Sequence, residues 1–245
     1  MSMGLWCARL VAARAGALLW ATLLVAGAVA QPQEPRREVF APSGERGAIV
    51  VVVSGASGAR AYRDFSAQMA AIGYYTVLME GKDVFDVFEP RSDRGESNLA
   101  KVIAESQSAP QALPGKVALV GFSLGGAGVL LRSGPLGERI SAVVGYYPAI
   151  NRLVIEEADL AARLKAPTLV LAAGKDEQDN CCKIESMRAL ESAPKTAPFE
   201  LVVYPEAGHG FNLQLPPFVH RAADADDALA RTATFLTKLH PARGR

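Results

Sequence analysis

Residues 117–126 read VALVGFSLGG, and this short stretch carries most of the information about the fold. Residues 117–120 form an apolar run of the kind found in strands that are buried on both faces. The run passes at once into G-x-S-x-G at 121–125 and then into an apolar helical pattern at 127–131. Glycines around a serine in a tight strand–turn–helix connection indicate an exposed nucleophile. A purely structural glycine-rich turn is the alternative interpretation.

Apolar runs alternate with helical patterns along most of the chain. Strands are predicted at 48–53, 75–79, 117–120, 140–146, 168–173 and 200–204. Helices are predicted between them, at about 62–72, 99–107, 127–131, 182–191 and 225–239. This alternation predicts an α/β fold, a doubly wound and mostly parallel sheet with helices on both faces. The roughly twenty residues between 146 and 168 are expected to form a short cap.

The composition is that of an ordinary globular protein. Half of the 245 residues are apolar, which is enough for one sizeable core, and the formal net charge is +1. A charge balance near zero offers no electrostatic basis for binding nucleic acid or an anionic membrane surface. We therefore expect no nucleic acid as partner. The sequence leaves the oligomeric state open.

The first thirty residues have the pattern of a signal peptide. Arg9 and Arg14 precede an uncharged apolar stretch at 15–30, which ends on Ala-Val-Ala and is followed by Gln31. Small residues at this spacing are the pattern that signal peptidases cleave. The sequence predicts a signal peptide at 1–30, an N-terminal extension at 31–44 and a folded domain at 45–245. The protein is then exported, periplasmic or secreted, without stable membrane association. An uncleaved anchor is the alternative.

Two adjacent cysteines, Cys181 and Cys182, lie in the predicted mature chain. Neighbouring Cα atoms are about 3.8 Å apart, which is closer than the usual disulfide range of about 4.4–6.8 Å. The pair is therefore interpreted either as two small packing residues or as a strained, redox-labile disulfide. Since the sequence places no histidine or third cysteine nearby, we expect no metal site here.

A serine hydroxyl needs an adjacent base to act as a nucleophile at neutral pH. The chain has three histidines. His240 lies in the C-terminal tail, and His220 is expected near the start of the last helix. His209 stands in a glycine-flanked loop just after the last predicted strand. Because functional sites in parallel sheets gather at the carboxyl ends of strands, His209 is predicted to be the base.

The residue that orients the imidazole should follow the preceding strand and lie between serine and histidine in chain order. Three carboxylates compete in the loop after that strand: Asp176, Glu177 and Asp179. Asp176 is favoured because it is nearest the strand end. Asp179 stays open as the alternative, since it could instead cap the following helix.

An oxyanion hole requires two backbone N–H groups aimed at the developing negative charge. Leu124, directly after the predicted nucleophile, should supply one of them. The second is expected from the loop at 54–58, with Ala56 favoured and Gly55 as its neighbour. The loop lacks the spacing of a phosphate-binding or dinucleotide-binding motif, so neither kind of site is expected there.

Several motifs together resemble dienelactone hydrolases and their relatives. They are VVVVSG at 50–55, GFSLGG at 121–126, YPEAGHGF at 204–211 and the final helix, so the resemblance covers about 45–240. The resemblance implies the α/β-hydrolase fold without a large lid, and hydrolysis of an ester or lactone without metal or cofactor. It also implies that Ser123, Asp176 and His209 occupy the family's triad positions.

The chain departs from the family pattern at two positions. Dienelactone hydrolases proper carry cysteine where this chain has Ser123, and Ser54 stands where they place an acidic residue. The sequence therefore favours a serine-dependent esterase of the wider family, acting on short acyl chains because the cap is small. A peptidase or acyltransferase using the same triad, or a non-catalytic exported binding protein, are the alternatives. Three aromatic residues are predicted to line the substrate site or else to pack in the core: Tyr146, Tyr147 and Phe211.

Overall fold

A seven-stranded sheet lies at the centre of the computed structural model, which describes residues 34–243. Its strands are β1 (Arg37–Phe40), β2 (Ile49–Val53), β3 (Tyr75–Met79), β4 (Val117–Phe122), β5 (Ile140–Tyr146), β6 (Thr168–Ala173) and β7 (Phe199–Tyr204). They are ordered β1-β3-β2-β4-β5-β6-β7, and each neighbouring pair is parallel except β1 with β3. The six predicted strands are present, so the doubly wound α/β fold is confirmed.

Helices cover both faces of the sheet. They are α1 (Arg63–Ala71), α2 (Arg94–Gln107), α3 (Leu124–Leu136), α4 (Glu157–Arg163), α5 (Ile184–Ser192) and α6 (Ala222–Leu239). One core cluster contains apolar side chains of α2, α3, α4 and α5, and the other contains those of α1 and α6. Each strand between β2 and β6 is buried on both sides, which explains its continuous apolar run.

The N-terminal boundary of the domain differs from the prediction. Arg37–Phe40 lies within the predicted N-terminal extension, but it pairs antiparallel with β3, so the sheet begins before residue 45. The segment is a four-residue edge strand whose side chains are partly or fully exposed. Such a strand has no buried apolar run by which the sequence could reveal it. The predicted signal peptide at 1–30 lies outside the described residues, and no helix within 34–243 is long and apolar enough to cross a membrane.

Most of the segment expected to form a short cap packs against neighbouring helices, whereas Tyr147, Ala149 and Arg152 at its start lie near Ser123. It contains α4, which the sequence analysis did not predict and which packs against α3 and α5. Ile150 and Leu153, which precede α4, are buried in the core cluster that contains the apolar side chains of α4. Val154 is exposed. The segment therefore adds one covering helix and leaves the carboxyl ends of the strands accessible.

The His240 side chain links the end of α6 to the first residues of β2 and β5. Its Nε2–H donates to the Ile49 carbonyl at 2.9 Å, and its Nδ1 lies 2.9 Å from Ser141 Oγ. The Tyr74 ring stacks against the imidazole, and its hydroxyl donates to the His240 carbonyl. The side chain is almost fully buried, and burial lowers its pKa because the interior disfavours the charged imidazolium.

We expect the protein to lose stability as the pH falls below the ordinary histidine pKa of about 6.5. The unfolded chain binds a proton at His240 more readily than the folded chain does, so protonation favours unfolding and the full stability is present only above that pH. The free energy of unfolding, measured with urea, should therefore increase with pH between about pH 5 and 7.5, and the slope of this increase is the quantity to compare. The slope should shrink in His240→Asn and persist in His220→Asn, whose parent side chain is only partly buried. Equal slopes in both variants would contradict the assignment.

Candidate active site

Ser123 stands in the tight connection between β4 and α3. Its backbone adopts φ 51° and ψ −113°, a left-handed conformation that a non-glycine residue rarely holds unless its surroundings impose it. Its N–H donates to the Tyr146 carbonyl at 2.9 Å, and its carbonyl accepts from the N–H groups of Ala127 and Ala149. These bonds tie the turn to β5, α3 and the following loop. They hold the hydroxyl above the carboxyl end of the sheet.

Two glycines make this turn possible. A Cβ on Gly121 would lie 2.4 Å from the Gly125 carbonyl oxygen, inside the turn itself. A Cβ on Gly125 would lie 2.4 Å from the carbonyl oxygens of Val53 and Ser54. The first glycine therefore lets the helix approach its own strand, and the second lets it approach the end of β2.

Substitution of alanine for Gly125 should destabilise the protein. Because backbone atoms would meet the new methyl group, α3 or β2 must move, and we expect a loss of about 1–3 kcal/mol in the free energy of unfolding. Gly44→Ala is the matched control, because its Cβ would meet only the Arg243 side chain at 3.8 Å or more. That change should stay within about 0.5 kcal/mol. Urea unfolding measures both, and equal stability of Gly125→Ala and the parent would show that the contact can relax.

Asp176 and His209 reach the same place from the loops after β6 and β7. Two backbone hydrogen bonds join these loops: the Gly174 N–H donates to Tyr204 O, and the Lys175 N–H donates to Ala207 O, both at 2.8 Å. The loops therefore leave the sheet side by side. This contact fixes the spacing between the carboxylate and the imidazole.

The three predicted polar residues form a continuous hydrogen-bonded chain. His209 Nε2 lies 2.9 Å from Ser123 Oγ, and His209 Nδ1 lies 2.8 Å from Asp176 Oδ2. The other carboxylate oxygen of Asp176 accepts from the Gln178 N–H at 3.2 Å. The Asp176 side chain is fully buried and that of His209 is 9% exposed. Asp179 and Glu177 are exposed and make no hydrogen bond with the imidazole among the described residues.

The predicted oxyanion loop passes directly beside the serine. A Cβ on Gly55 would lie 3.2 Å from Ser123 Cβ and 2.5 Å from the Tyr62 hydroxyl, so this position has room only for glycine. Leu124 is the first residue of α3, and its N–H is one of the four at a helix start that have no intrahelical partner. Ala56 and Leu124 both line the cavity into which Ser123 opens.

Ser54 is buried behind this loop and outside the cavity wall. Its hydroxyl donates to Gly55 O at 3.2 Å and accepts from the Gly81 N–H at 2.9 Å. The side chain therefore joins the loop after β2 to the loop after β3. It therefore has a structural role at the position for which the resemblance implies an acidic residue.

The cavity above Ser123 has a volume of about 350 Å³. Of the three aromatic residues predicted to line it, Tyr147 does so, and its ring packs edge-on against the His209 imidazole. Tyr146 and Phe211 lie outside the cavity wall and belong to the core between the sheet, α1 and α6. The Tyr146 hydroxyl donates to the Ala228 carbonyl, which explains its burial. For these two residues the core alternative is the correct one.

The structure adds several lining residues that the sequence did not predict. Apart from Ser57 and Gly210, which lie in the loops of Ala56 and His209, they come from segments without a motif. They are Ser57, Tyr62, Val87, Ala149, Arg152, Gln178, Cys181, Gly210, Leu213 and Phe218. Burial raises the pKa of Tyr62 to about 12 and that of Tyr147 well above its usual value. Both phenols are therefore neutral at physiological pH. The cavity wall is mostly apolar, with a few hydroxyl groups and the charged side chains of Arg152 and Asp179, as is common in sites for small organic molecules.

Cys181 and Cys182 form a disulfide at the edge of the same cavity. Both side chains are buried, and the Cys181 N–H donates to Gln178 O at 2.9 Å. The two residues before them, Asp179 and Asn180, have φ values of 46° and 53°. Aspartate and asparagine tolerate this left-handed region better than most residues do. The loop thereby turns back and carries the pair toward Asp176.

Residues 36–240 of the chain match the family model "Dienelactone hydrolase family". A similar curated protein is the "Putative carboxymethylenebutenolidase" of Yersinia pestis, 36% identical over 132 residues, which are 50% of this chain and 47% of that protein. A protein of the same name from Methylorubrum extorquens is 33% identical over 55% of this chain and 47% of its own length. The chain thus spans about half the length of these curated relatives.

Solved structures share the fold. A "Putative Dienelactone Hydrolase" from Klebsiella pneumoniae superposes with a TM-score of 0.63 at 24% identity, covering 84% of this chain and 100% of that one. Est1E from Butyrivibrio proteoclasticus superposes with a TM-score of 0.63 at 15% identity, covering 82% and 93%. At these identities the superpositions establish the α/β-hydrolase architecture alone.

Proposed function

The chain belongs to the dienelactone hydrolase family, and we propose that it is a serine hydrolase that cleaves a carboxylic ester or lactone through an acyl-enzyme. One observation carries the proposal: Ser123 Oγ, the His209 imidazole and the Asp176 carboxylate form a hydrogen-bonded chain with contacts of 2.9 and 2.8 Å. This is the arrangement by which a serine hydroxyl is activated.

The proposed reaction has two stages. As Ser123 Oγ attacks the ester carbonyl, His209 Nε2 takes its proton, and Asp176 stabilises the resulting imidazolium through Nδ1–H. The N–H groups of Leu124 and Ala56 are proposed to bind the oxyanion. His209 then protonates the leaving alcohol. Water, deprotonated by the same imidazole, attacks the acyl-enzyme. The bond to Ser123 Oγ then breaks, the imidazolium returns the proton to Oγ, and the acid is released.

A fluorophosphonate probe tests the nucleophile directly. The probe should label the parent protein at Ser123 and leave Ser123→Ala unlabelled, with the labelled peptide identified by mass spectrometry. A folded parent protein that stays unlabelled would favour the alternative of a non-catalytic binding protein.

A substrate panel tests the reaction class. We expect kcat/KM to be higher for p-nitrophenyl acetate and butyrate than for the decanoate, because the cavity is only about 350 Å³ and has no covering lid among the described elements. Small lactones and peptide amides belong in the same panel. Faster cleavage of amides would favour a peptidase, and transfer of the acyl group to an added alcohol would favour an acyltransferase. Preference for the decanoate would contradict the expected chain length.

Export is a separate proposal that rests on the sequence pattern at 1–30. A disulfide such as Cys181–Cys182 is consistent with it, since disulfides persist mainly in oxidising compartments. N-terminal sequencing of the protein recovered from cells should begin at Gln31. An N-terminus at Met1 in the membrane fraction would indicate an anchor, and in the cytosol it would contradict export.

A further inference from the structure

The Cys181–Cys182 disulfide lies beside the proposed catalytic residues, yet the proposed reaction does not use it. Cys181 and Cys182 are 6% and 2% exposed, and Cys181 forms part of the cavity wall. Four groups that can bind a metal ion converge at this corner: the sulfur atoms of Cys181 and Cys182, a carboxylate oxygen of Asp176 and a ring nitrogen of His209. These four atoms all lie within 4.8 Å of one another.

This donor set has a definite chemical preference. Two cysteine sulfurs with one imidazole nitrogen and one carboxylate oxygen are ligands that Zn²⁺ binds in tetrahedral sites. Thiolate, not disulfide sulfur, is the form that binds metals. While the disulfide is intact, two of the four groups, the sulfur atoms of Cys181 and Cys182, are therefore unable to bind a metal ion. Only reduction makes the full set available.

We propose that reduction of Cys181–Cys182 opens an inhibitory Zn²⁺ site formed by Cys181, Cys182, Asp176 and His209. Two thiols reduce the disulfide by exchange: they donate two electrons and two protons, become a disulfide themselves and leave two cysteine thiols. A trialkylphosphine with one water does the same and becomes the phosphine oxide. Zn²⁺ then displaces the two thiol protons into solvent and binds the thiolates.

Little rearrangement is needed for the two thiols to face one ion. The Cα atoms of Cys181 and Cys182 are 3.8 Å apart, so the side chains stay neighbours after the bond is broken. The Asn151 N–H donates to the Cys181 carbonyl at 3.1 Å, and the Lys183 N–H donates to Asn151 Oδ1 at 3.0 Å. Together with the Cys181 N–H bond to Gln178 O, these bonds hold the backbone before, within and after the pair, and none of them involves a sulfur atom.

Zinc at this site would stop the proposed reaction. Nε2 of His209 now faces Ser123, and Nδ1 faces Asp176. If zinc binds Nε2, Ser123 loses its base. If zinc binds Nδ1, the neutral imidazole carries its proton on Nε2 and cannot accept the proton of the serine. The inhibitory effect thus rests on the proposed function, whereas metal binding does not.

The test compares the oxidised protein with protein reduced by tris(2-carboxyethyl)phosphine and desalted under nitrogen. Each is titrated with Zn²⁺, with bound zinc measured by calorimetry and activity measured on p-nitrophenyl acetate. We expect one zinc per reduced chain, loss of at least about nine-tenths of the activity, and recovery with a chelator. The oxidised protein should bind no stoichiometric zinc and keep its activity. Co²⁺ added to the reduced protein should give a sulfur-to-metal charge-transfer absorption band.

Variants distinguish zinc binding at the four proposed ligands from other effects of reduction on the protein. Cys181→Ala/Cys182→Ala should bind no stoichiometric zinc, whereas His220→Ala should match the parent in both redox states. Ser123→Ala should still bind zinc after reduction, because Ser123 is not one of the four ligands. Zinc binding without any esterase activity would support the site and count against the proposed function.

Three results would overturn the proposal: no zinc on the reduced chain, equal zinc binding in both redox states, or stoichiometric zinc with unchanged activity. The comparison of oxidised and reduced parent protein needs no variant. It therefore decides the question even if the double cysteine variant fails to fold.

Discussion

Ser123→Ala is expected to lower kcat for p-nitrophenyl acetate by roughly 10⁵ to 10⁶, by comparison with subtilisin, where loss of the serine costs about 2 × 10⁶. The hydroxyl supplies the bond that forms in the transition state, and alanine leaves His209 with nothing to deprotonate. KM should change little, because the cavity wall around the ester is otherwise intact. The residual rate should reflect the oxyanion hole and substrate positioning.

Ser57→Ala is the matched control for this measurement. Ser57 lies on the wall of the same cavity, but the hydroxyl facing His209 Nε2 is that of Ser123. We expect its kcat to stay within about tenfold of the parent, since the Ser57 side chain is exposed and its removal leaves the nucleophile and its base in place. Steady-state kinetics on freshly purified proteins, with folding checked by circular dichroism, measure both variants. A Ser123→Ala protein within tenfold of the parent would place the nucleophile elsewhere.

Asp176→Asn is expected to lower kcat by about 10² to 10⁴, the upper value being that of the corresponding change in a serine protease. Asp176 Oδ2 accepts a hydrogen bond from His209 Nδ1–H, which keeps Nε2 free to take the serine proton. An asparagine amide can donate to Nδ1 instead and so stabilise the opposite tautomer. It also removes the charge that stabilises the imidazolium. KM should again change little.

The other two carboxylates of the loop serve as controls. Asp179→Asn and Glu177→Gln should remain within about tenfold of the parent, because exposed charges contribute little energy. Asp179 is exposed, and its carboxylate accepts from Gln178 Nε2 at 3.1 Å. The kcat values of the three variants, measured on one ester, rank the carboxylates. An inactive Asp179→Asn beside an active Asp176→Asn would show that Asp179 orients the imidazole during turnover.

The sequence alone was sufficient for six of the seven strands, the nucleophile turn and the loop that carries His209. These features rest on short-range signals: apolar runs of five to seven residues in the buried strands, and glycines at 121 and 125 where a Cβ would collide with backbone. Such signals act between residues that are close in the chain. A single sequence therefore contains all the information that they require.

Other features depend on residues that are distant in the chain, and only the tertiary structure decided them. Arg37–Phe40 becomes a strand because β3, about forty residues later, offers a free edge. Asp176 rather than Asp179 meets His209 because the loops after β6 and β7 are bonded to each other. Cys181 and Cys182 showed no partner in the sequence, yet the same loop packing places them beside Asp176 and His209. Loop paths set these distances, and loop paths follow from the packing of the whole domain, which no local pattern of residues records.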